Sequence, residues 1–300
     1  MKRPSDLAHK GRPVEEWVDL HFFRPIGIRI ARTLVPTRIS ADQVTVWSIL
    51  IGLVAGHLFV YTSRWINAVG LLLFLVSEVF DSADGQLARL RGTSTRVGRT
   101  LDGIGDNLRF INLYLHLIIR LVLTGAGWYG VLLGAVAGLS HSLQSAAVDF
   151  VRNAFLWIGS GGGELDLPED VEPVRHGAAW EGARFRARVY RDYVVRQAQL
   201  FPRSLQLLRA LRQVQPTEAF RAEYRERQQV LLPLCSWLGQ NIRFALVGVA
   251  VLAGRPSAYL WAEVGVMNLL LVVLLLVHES NATALGQFLE SDPHAYARTG

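Results

Sequence analysis

Four aspartates stand at helical spacing on either side of a short polar segment. Asp81 and Asp84 are three residues apart, and Asp102 and Asp106 are four apart, so each pair lies on one face of its helix. Carboxylates gathered at the edge of apolar helices repel one another unless they are protonated or share cations. Oxygen ligands suit hard ions, Mg²⁺ first and Mn²⁺ or Ca²⁺ next. The spacing therefore predicts a divalent metal site.

Small residues accompany both pairs. Gly85 and Ala88 share the face of the first pair, and Gly98 shares the face of the second pair. Because these residues have little or no side chain, a ligand can approach both helices closely. Arg89 lies near the same face as Gly85 and can meet a phosphate oxygen. The alternative is that the small residues serve helix packing and that the aspartates pair with nearby arginines.

The spacing of these residues matches a known signature: Asp, two residues, Asp-Gly, two residues, Ala-Arg, eight residues, Gly, three residues, Asp, three residues, Asp. This pattern resembles the CDP-alcohol phosphotransferase (CDP-alcohol phosphatidyltransferase) family, whose members are polytopic membrane enzymes. The chain departs from the family in two places. A Pro-Asn pair common before the first span is Ala41 and Asp42 here, and a long insertion follows the fourth span.

The resemblance implies a role for each matched residue. Asp81, Asp84 and Asp102 would be metal ligands, and Asp106 would be the general base that also approaches a metal. Two Mg²⁺ ions, for which Mn²⁺ could substitute, would neutralise the donor diphosphate and the attacking and leaving oxygens. The CDP donor would be held by Asp84, Gly85, Ala88, Arg89 and Gly98. The family resemblance also implies a homodimer.

Three arginines are predicted to bind an anionic part of the acceptor: Arg109, Arg152 and Arg243. Ion pairs are the simpler explanation for the first two, because Arg109 follows Asp106 by three residues and Arg152 follows Asp149 by three. Arg243 lies near the middle of a span, where an arginine is costly unless it faces a wet cavity or a partner.

Three other polar residues have less definite roles. Glu78, three residues before Asp81, is either a supporting carboxylate of the metal site or a polar contact between helices. His116 and His141 have no histidine or cysteine at ligand spacing, so packed or hydrogen-bonded roles are expected for both.

The elements that carry these residues are membrane spans. The chain of 300 residues is 51% hydrophobic and only 19% charged, with a mean hydropathy of +0.25, which excludes an ordinary soluble domain. Six apolar segments are each long enough to cross about 30 Å of hydrocarbon. They are residues 41–61, 65–89, 97–123, 128–157, 230–252 and 257–277. We therefore expect an all-α, polytopic bundle of six transmembrane helices.

The distribution of arginine predicts the orientation. Arginines gather before the first span, between the second and third, and after the fourth, whereas the opposite loops offer only Arg64 and Arg255. By the positive-inside rule, both termini and the aspartates face the cytoplasm, in a plasma or inner membrane. Counting 1.5 Å per residue from Trp65 and Leu123 puts Asp81 and Asp106 about 24 to 26 Å from the far side, at matching depth. This clustering beside apolar spans also argues against nucleic acid as a partner, despite a net charge of +6.

Two further regions flank the spans. Apolar residues at three- and four-residue steps between Trp17 and Leu34 predict an amphipathic helix, lying either in the membrane interface or against the bundle. Residues 158–229 form an arginine-rich insertion whose helices present a basic face to an anionic leaflet or form a solvated hairpin. Residues 1–13 have no apolar core, so no removable signal peptide is expected there. The single cysteine, Cys235, excludes a disulfide framework.

The predicted organisation has five parts. Residues 1–40 are an N-terminal cytoplasmic segment with the amphipathic helix, 41–157 carry four spans and the aspartates, and 158–229 are the cytoplasmic insertion. Residues 230–278 carry the last two spans, and 279–300 are a cytoplasmic tail.

The expected activity is a metal-dependent transfer from a CDP-linked donor. CDP-diacylglycerol is the expected donor, a polar alcohol the acceptor, and CMP with a phospholipid the products. The intramembrane arginines favour inositol phosphate, inositol or glycerol phosphate slightly, but the sequence identifies neither the acceptor nor the role of the insertion. Within the family, transfer from CDP-choline or CDP-ethanolamine to diacylglycerol is the alternative, and a quaternary ammonium would favour an aromatic cage. From another class, a cation-coupled transporter would also place carboxylates within spans.

Overall fold

The computed structural model is almost entirely helical within the residues that it describes, 14–93, 96–163, 165–171, 181–291 and 296–297. For residues 96–104, 181–183, 185–186, 215 and 296–297 only the backbone is described. A two-residue antiparallel pair joins β1 (Gln215–Pro216) to β2 (Tyr296–Ala297). The helices are α1 (Arg24–Leu34), α2 (Ala41–Leu58), α3 (Arg64–Arg91), α4 (Arg96–Leu121), α5 (Gly127–Ala154), α6 (Glu181–Leu200), α7 (Pro202–Gln213), α8 (Glu218–Gln228), α9 (Leu232–Trp237), α10 (Gln240–Leu252), α11 (Pro256–Ala262) and α12 (Asn268–Ser291).

Five helical segments of the described residues are long and apolar enough to cross a membrane. They are Ala41–Leu58, Arg64–Arg91, Gly105–Gly159, Glu218–Leu252 and Pro256–Ser291. This confirms a membrane protein with several apolar spans. The third segment is 55 residues long, more than twice what a span needs. It covers residues 105–123 of the third predicted span and all of the fourth.

That long segment folds back on itself at two glycines. Gly125 and Gly127 have φ angles of 96° and 51°, values that L residues rarely adopt and that glycine adopts without steric cost. Beyond this turn, a row of glycines on α5 at four-residue spacing packs against α4. A Cβ on Gly134 would lie 2.1 Å from Ile118 Cγ1, so the close approach of the two helices depends on the missing side chain.

The described chain divides into two compact units, and residues 1–141 with 240–266 form the first. Within it, α2 packs against both α3 and α4 through small residues. Gly70 of α3 faces Phe59, and Gly56 of α2 faces Asn112 of α4. Stacked aromatic rings fill the space beside them, with Phe74 tilted against Phe244 at a centroid distance of 4.7 Å. Burial of such rings supplies the packing energy that association in lipid requires.

The predicted N-terminal amphipathic helix packs against α3. Its buried positions are Phe23, Gly27 and Ala31, and a Cβ on Gly27 would lie 2.9 Å from Ser82 Oγ. Trp17 is exposed. The contacts agree with the packing alternative, and the interfacial role stays a prediction.

Arg91 fixes the end of α1. Its guanidinium donates to the carbonyl oxygens of Leu34, Val35, Thr37 and Ile39 at distances of 2.5–3.1 Å. A cation at a helix C-terminus satisfies carbonyls that have no intrahelical partner. Arg91 therefore ties α1 to the last turn of α3, close to the first aspartate pair.

The second unit comprises residues 142–239 and 267–300. In it, α6 runs antiparallel to the last turns of α5, since Tyr193 donates to Asp149 while Gln197 donates to the carbonyl of Ala146 at 3.2 Å. Burial, followed by the charge of Asp149, raises the pKa of Tyr193, so the hydroxyl keeps its proton and donates. Part of the predicted insertion thus packs on an apolar helix.

The other insertion helices are also fixed. Glu279 of α12 accepts hydrogen bonds from the backbone N–H groups of Arg203 and Ser204, at 2.7 and 3.0 Å, and so caps the N-terminus of α7. Arg209 donates to Glu169 at 2.9 Å, and this hydrogen bond lowers the pKa of the carboxyl group.

Candidate functional site

One buried guanidinium gathers the carboxylates of α3 and α4. Arg109 Nη2 donates to Asp81 Oδ1 at 2.8 Å and to Asp106 Oδ1. Its other terminal nitrogen, Nη1, donates to Glu78 Oε1 at 2.9 Å. Because Asp81 and Asp106 reach the same nitrogen from two helices, their carboxylates converge on one point in space. We call Glu78, Asp81, Asp106 and Arg109 the carboxylate cluster.

The cluster is graded in exposure. The side chain of Asp106 is 37% exposed, that of Asp81 24%, and that of Glu78 10%, while Arg109 is 1% exposed. The guanidinium thus forms the floor, and Asp106 is the carboxylate most open to an incoming molecule.

Further hydrogen bonds fix the positions of Arg109 and Glu78 on the buried side of the cluster. Arg109 Nη1 also donates to Ser77 Oγ at 2.9 Å, and Ser77 in turn donates to the carbonyl of Ser48 on α2 at 2.8 Å. Glu78 Oε2 accepts from Gln240 at the start of α10 at 2.8 Å. Fixed partners of this kind lock the rotamers of the groups above them.

A glycine makes room for the guanidinium. A Cβ on Gly52 of α2 would lie 2.5 Å from Arg109 Cδ and 2.9 Å from Ser77 Oγ. Such distances are far inside van der Waals contact. The arginine can therefore reach across to α3 because α2 has no side chain at this position.

The first aspartate pair and its small residues lie on α3. Asp84 is 5% exposed, deeper than Asp81. A Cβ on Gly85 would meet only Arg89 within 4 Å, Nη1 at 3.4 Å and Nη2 at 3.9 Å. The Arg89 guanidinium thus lies beside the bare backbone of Gly85, and Ala88 lies in the same helix.

Two predicted site residues fall on the start of α4. Asp102 and Gly98 lie in the helix Arg96–Leu121, but their side-chain positions are outside the described residues, as are the whole of Ser94 and Thr95. The spacing of Asp102, four residues before Asp106, places it one turn earlier on the helix.

The donor set fits a hard divalent ion. Asp81 and Asp106 both present carboxylate oxygens and share one cationic partner, and all-oxygen sites prefer Mg²⁺. Among the described side chains, no three His, Cys, Asp or Glu residues form a group that could hold a metal ion, and Asp102 is not among those side chains. Metal ligation therefore stays a prediction for Asp81, Asp84, Asp102 and Asp106. The described oxygens of Asp81 and Asp106 fit that prediction.

The three arginines predicted for the acceptor have different surroundings. Arg109 is engaged as the floor of the carboxylate cluster. Arg243 is buried and its Nε donates to Glu263 Oε1 at 3.2 Å. In the second unit, Arg152 Nη2 donates to the carbonyl of Cys235 at 3.3 Å, and Asp149 accepts from Tyr193. Acceptor binding by these arginines stays a prediction.

Sequence reasoning did not anticipate the supports of the site. Gln240 and Gly52 contact the cluster or its floor from other helices, and no local spacing connects them to the aspartates. Ser77 lies four residues before Asp81 on α3, but the sequence did not indicate its contact with Arg109 of α4. The sequence did single out Glu78, because it lies one helical turn before Asp81, but spacing alone left its role open. Glu263, to which the sequence assigned no role, is fully buried as the partner of Arg243.

Comparison with known proteins bears on the same region. Residues 38–153 match the family model described as CDP-alcohol phosphatidyltransferase. The chain is also 27% identical over 143 residues to a protein named bifunctional IPC transferase and DIPP synthase, from Thermococcus kodakarensis. That alignment covers 46% of this chain and 32% of the relative, so the chain matches about a third of the length of that protein. The family match confirms the resemblance that the aspartate signature predicted.

Proposed function

We propose that this chain, in which residues 38–153 match the family model of the CDP-alcohol phosphatidyltransferases, transfers the phosphatidyl group of CDP-diacylglycerol to a hydroxyl of a polar alcohol and releases CMP. The observation that carries the proposal is the convergence of Asp81 and Asp106, from two helices of the matched segment, on one buried guanidinium. A pair of facing carboxylates in an apolar protein is costly unless the carboxylates share cations, and cations held there would neutralise the diphosphate of the donor.

In the proposed reaction, Asp106 removes the proton of the acceptor hydroxyl as its oxygen attacks the phosphorus distal to cytidine. The bond from that phosphorus to the oxygen of CMP breaks, and CMP leaves. Asp106 suits this role because it is the most exposed carboxylate of the cluster. Mg²⁺, held by Asp81, Asp84, Asp102 and Asp106, would supply charge neutralisation at the diphosphate.

Arg109 has a positioning role in this proposal. It donates to both Asp81 and Asp106 and is almost completely buried, so it orients the two carboxylates relative to each other. Orientation of this kind matters because small misplacements of reacting groups reduce rates by large factors. These contacts favour a positioning role for Arg109 over the predicted contact with the acceptor.

The donor would lie along the face of α3 that carries the small residues. Arg89 stands beside Gly85, where a guanidinium can donate to the diphosphate while the bare backbone admits the cytidine. Asp84, Ala88 and Gly98 complete the donor site that we propose.

The acceptor is proposed to be inositol phosphate, inositol or glycerol phosphate. The likeness to a protein named IPC transferase and DIPP synthase gives this choice weak support. Arg152 and Arg243 remain the proposed anion-binding residues, because neither belongs to the carboxylate cluster. Transfer of phosphocholine or phosphoethanolamine to diacylglycerol is the alternative within the family.

We further propose six spans, cytoplasmic termini and a homodimer in a plasma or inner membrane. The fold-back at Gly125 and Gly127 supports six spans, because it divides the longest apolar segment into two antiparallel helices. The distribution of arginine supports the orientation.

The activity is tested with the purified full chain in lipid nanodiscs, radiolabelled CDP-diacylglycerol and excess Mg²⁺. A panel of alcohols is supplied one at a time, and both CMP and the lipid product are measured. We expect CMP release with one class of acceptor, and loss of about 10²–10⁴-fold in kcat for Asp106→Asn, as for removal of a general base.

The matched control is Asp192→Asn, which removes an exposed carboxylate of α6 and should leave the rate unchanged. Full activity of Asp106→Asn would refute the assignment of the base. Absence of CMP release from CDP-diacylglycerol, CDP-choline and CDP-ethanolamine alike would refute the transferase and favour cation-coupled transport.

A further inference from the structure

A second polar cluster of the first unit lies towards the other ends of α2 and α4. His57 Nδ1 and His116 Nε2 are 3.1 Å apart, and the two imidazole planes are nearly perpendicular at 87°. His57 is exposed and stands one residue before the end of α2. The two residues are 59 positions apart in sequence, so no local spacing reveals the pair.

A hydrogen bond assigns the proton on one of the rings. His116 Nδ1 lies 2.7 Å from the carbonyl oxygen of Asn112, which can only accept, so this nitrogen must carry the proton. In neutral His116 the lone pair is therefore on Nε2 and points at His57. A ring nitrogen oriented by a hydrogen bond from its other nitrogen is the usual arrangement of a metal-ligating histidine.

The pair is held by close packing of its two helices. A Cβ on Gly56 would lie 2.3 Å from Asn112 Nδ2, and that amide donates to the carbonyl of Leu53 at 2.9 Å. Asn112 thus ties α4 to α2 one helical turn from His116 and beside His57. The close approach of α2 and α4 therefore brings the two rings within reach of each other.

We propose that His57 and His116 form a binding site for a borderline transition-metal cation such as Zn²⁺, Ni²⁺ or Cu²⁺. Imidazole nitrogens are preferred ligands of these ions. Within the part of the chain that the structure describes, no third His, Cys, Asp or Glu completes a metal-binding group. Water therefore fills the remaining coordination positions, and the site binds a free or weakly chelated ion.

The separation of the two nitrogens needs little change to accept the ion, although each ring must tilt so that its lone pair points at the ion. Two Zn–N bonds of about 2.05 Å at a tetrahedral angle place their nitrogens about 3.3 Å apart, close to the 3.1 Å separation. Without metal, His57 Nδ1 donates its proton to His116 Nε2. On binding, that proton passes through solvent to Nε2 of His57, so that both facing lone pairs bind the ion and no net proton is released.

This site differs in position and chemistry from the aspartates. Ten residues of α4 separate Asp106 from His116, a rise of about 15 Å. The carboxylates select hard ions and the imidazoles select borderline ones. Excess Mg²⁺ therefore occupies the aspartates without competing for the histidines.

The test uses the full chain with its affinity tag removed, in nanodiscs with excess Mg²⁺. Cu²⁺ is titrated and followed by electron paramagnetic resonance, in which each coordinated nitrogen splits the signal. Binding of Zn²⁺ is measured in parallel by its effect on the thermal unfolding midpoint, since a ligand of the folded state raises it. We expect one Cu²⁺ with two nitrogen ligands, and a raised midpoint with Zn²⁺.

His57→Gln and His116→Gln should each weaken binding by more than the roughly 10–100-fold that loss of an outer-shell partner costs. The control is His21→Gln, which changes an exposed histidine stacked on Trp17 and should leave affinity unchanged. Glutamine keeps a hydrogen-bonding side chain, and size-exclusion profiles check that each variant is folded. Equal Cu²⁺ affinity in all three variants, or a spectrum without coupling to two nitrogens in the unmodified chain, would overturn the proposal.

Discussion

Replacement of Arg109 separates a positioning role from a role in acceptor binding. Arg109→Met keeps much of the length of the side chain but removes four hydrogen bonds, three of them to carboxylates. Removing one partner of a buried ion pair typically costs about 3–5 kcal/mol. We therefore expect a lower unfolding temperature and a rate loss of about 10²-fold, the size expected from a small misplacement of reacting groups.

The kinetic pattern is the decisive readout. If Arg109 orients Asp81 and Asp106, Arg109→Met lowers kcat while the KM for the acceptor changes little. Arg109→Lys should recover only part of the rate, because an ammonium cannot donate in a fork to the partners of both terminal nitrogens. Arg152→Met is the matched comparison, since it removes another candidate arginine, one that lies in the second unit.

Steady-state CMP release at varied acceptor concentration measures both constants. An Arg109→Met variant that is folded, with unchanged kcat and a raised acceptor KM, would refute the positioning role and support the acceptor assignment. Unchanged values of both constants would refute both roles.

Two further predictions concern helix packing in the first unit and a helix cap in the second. Gly52→Val should lower kcat, because its side chain would displace Arg109. The overpacking should also lower the free energy of unfolding by about 1–3 kcal/mol and hence the unfolding temperature. The control is Gly286→Ala, where an added Cβ meets nothing within 4 Å, and it should change neither quantity in the same turnover and unfolding assays. Glu279→Ala should loosen α7 by about 1 kcal/mol, the value of a helix cap, and raise its rate of tryptic cleavage about fivefold without changing turnover. Equal cleavage rates in variant and parent would contradict the capping role.

Much of the fold follows from patterns that are local in sequence. Apolar runs of sufficient length predicted the membrane segments, and the capping box from Ser40 to Gln43 marks the start of α2 in the structure. The fold-back within residues 105–159 was also predictable, because the apolar runs 97–123 and 128–157 are each long enough to form a span and meet at Gly125 and Gly127. The bounds of α12 were not, since it continues to Ser291, well past the predicted end of the last span.

In the candidate site, too, the residues at local spacing were predictable and the contacts between helices were not. The aspartates follow a fixed local spacing, so the sequence predicted which helix faces carry them. The partners of Arg109 on α3 lie 28 to 32 residues away, and their pairing depends on how three helices pack. Periodicity specifies a face but not the helix that the face meets, which is why the sequence offered the ion pair of Arg109 with Asp106, three residues away, but not its contacts with Glu78 and Asp81.

Two glycines one turn apart on α2 lie between the carboxylate cluster and the histidine pair. Gly52 leaves space for Arg109, and Gly56, one turn later, leaves space for Asn112. Both partners lie on α4, so the same close approach of α2 and α4 sets the floor of the carboxylate cluster and the separation of His57 and His116. Larger side chains at either glycine would push the helices apart. Geometry at the aspartates and at the histidines should therefore change together when this contact is altered.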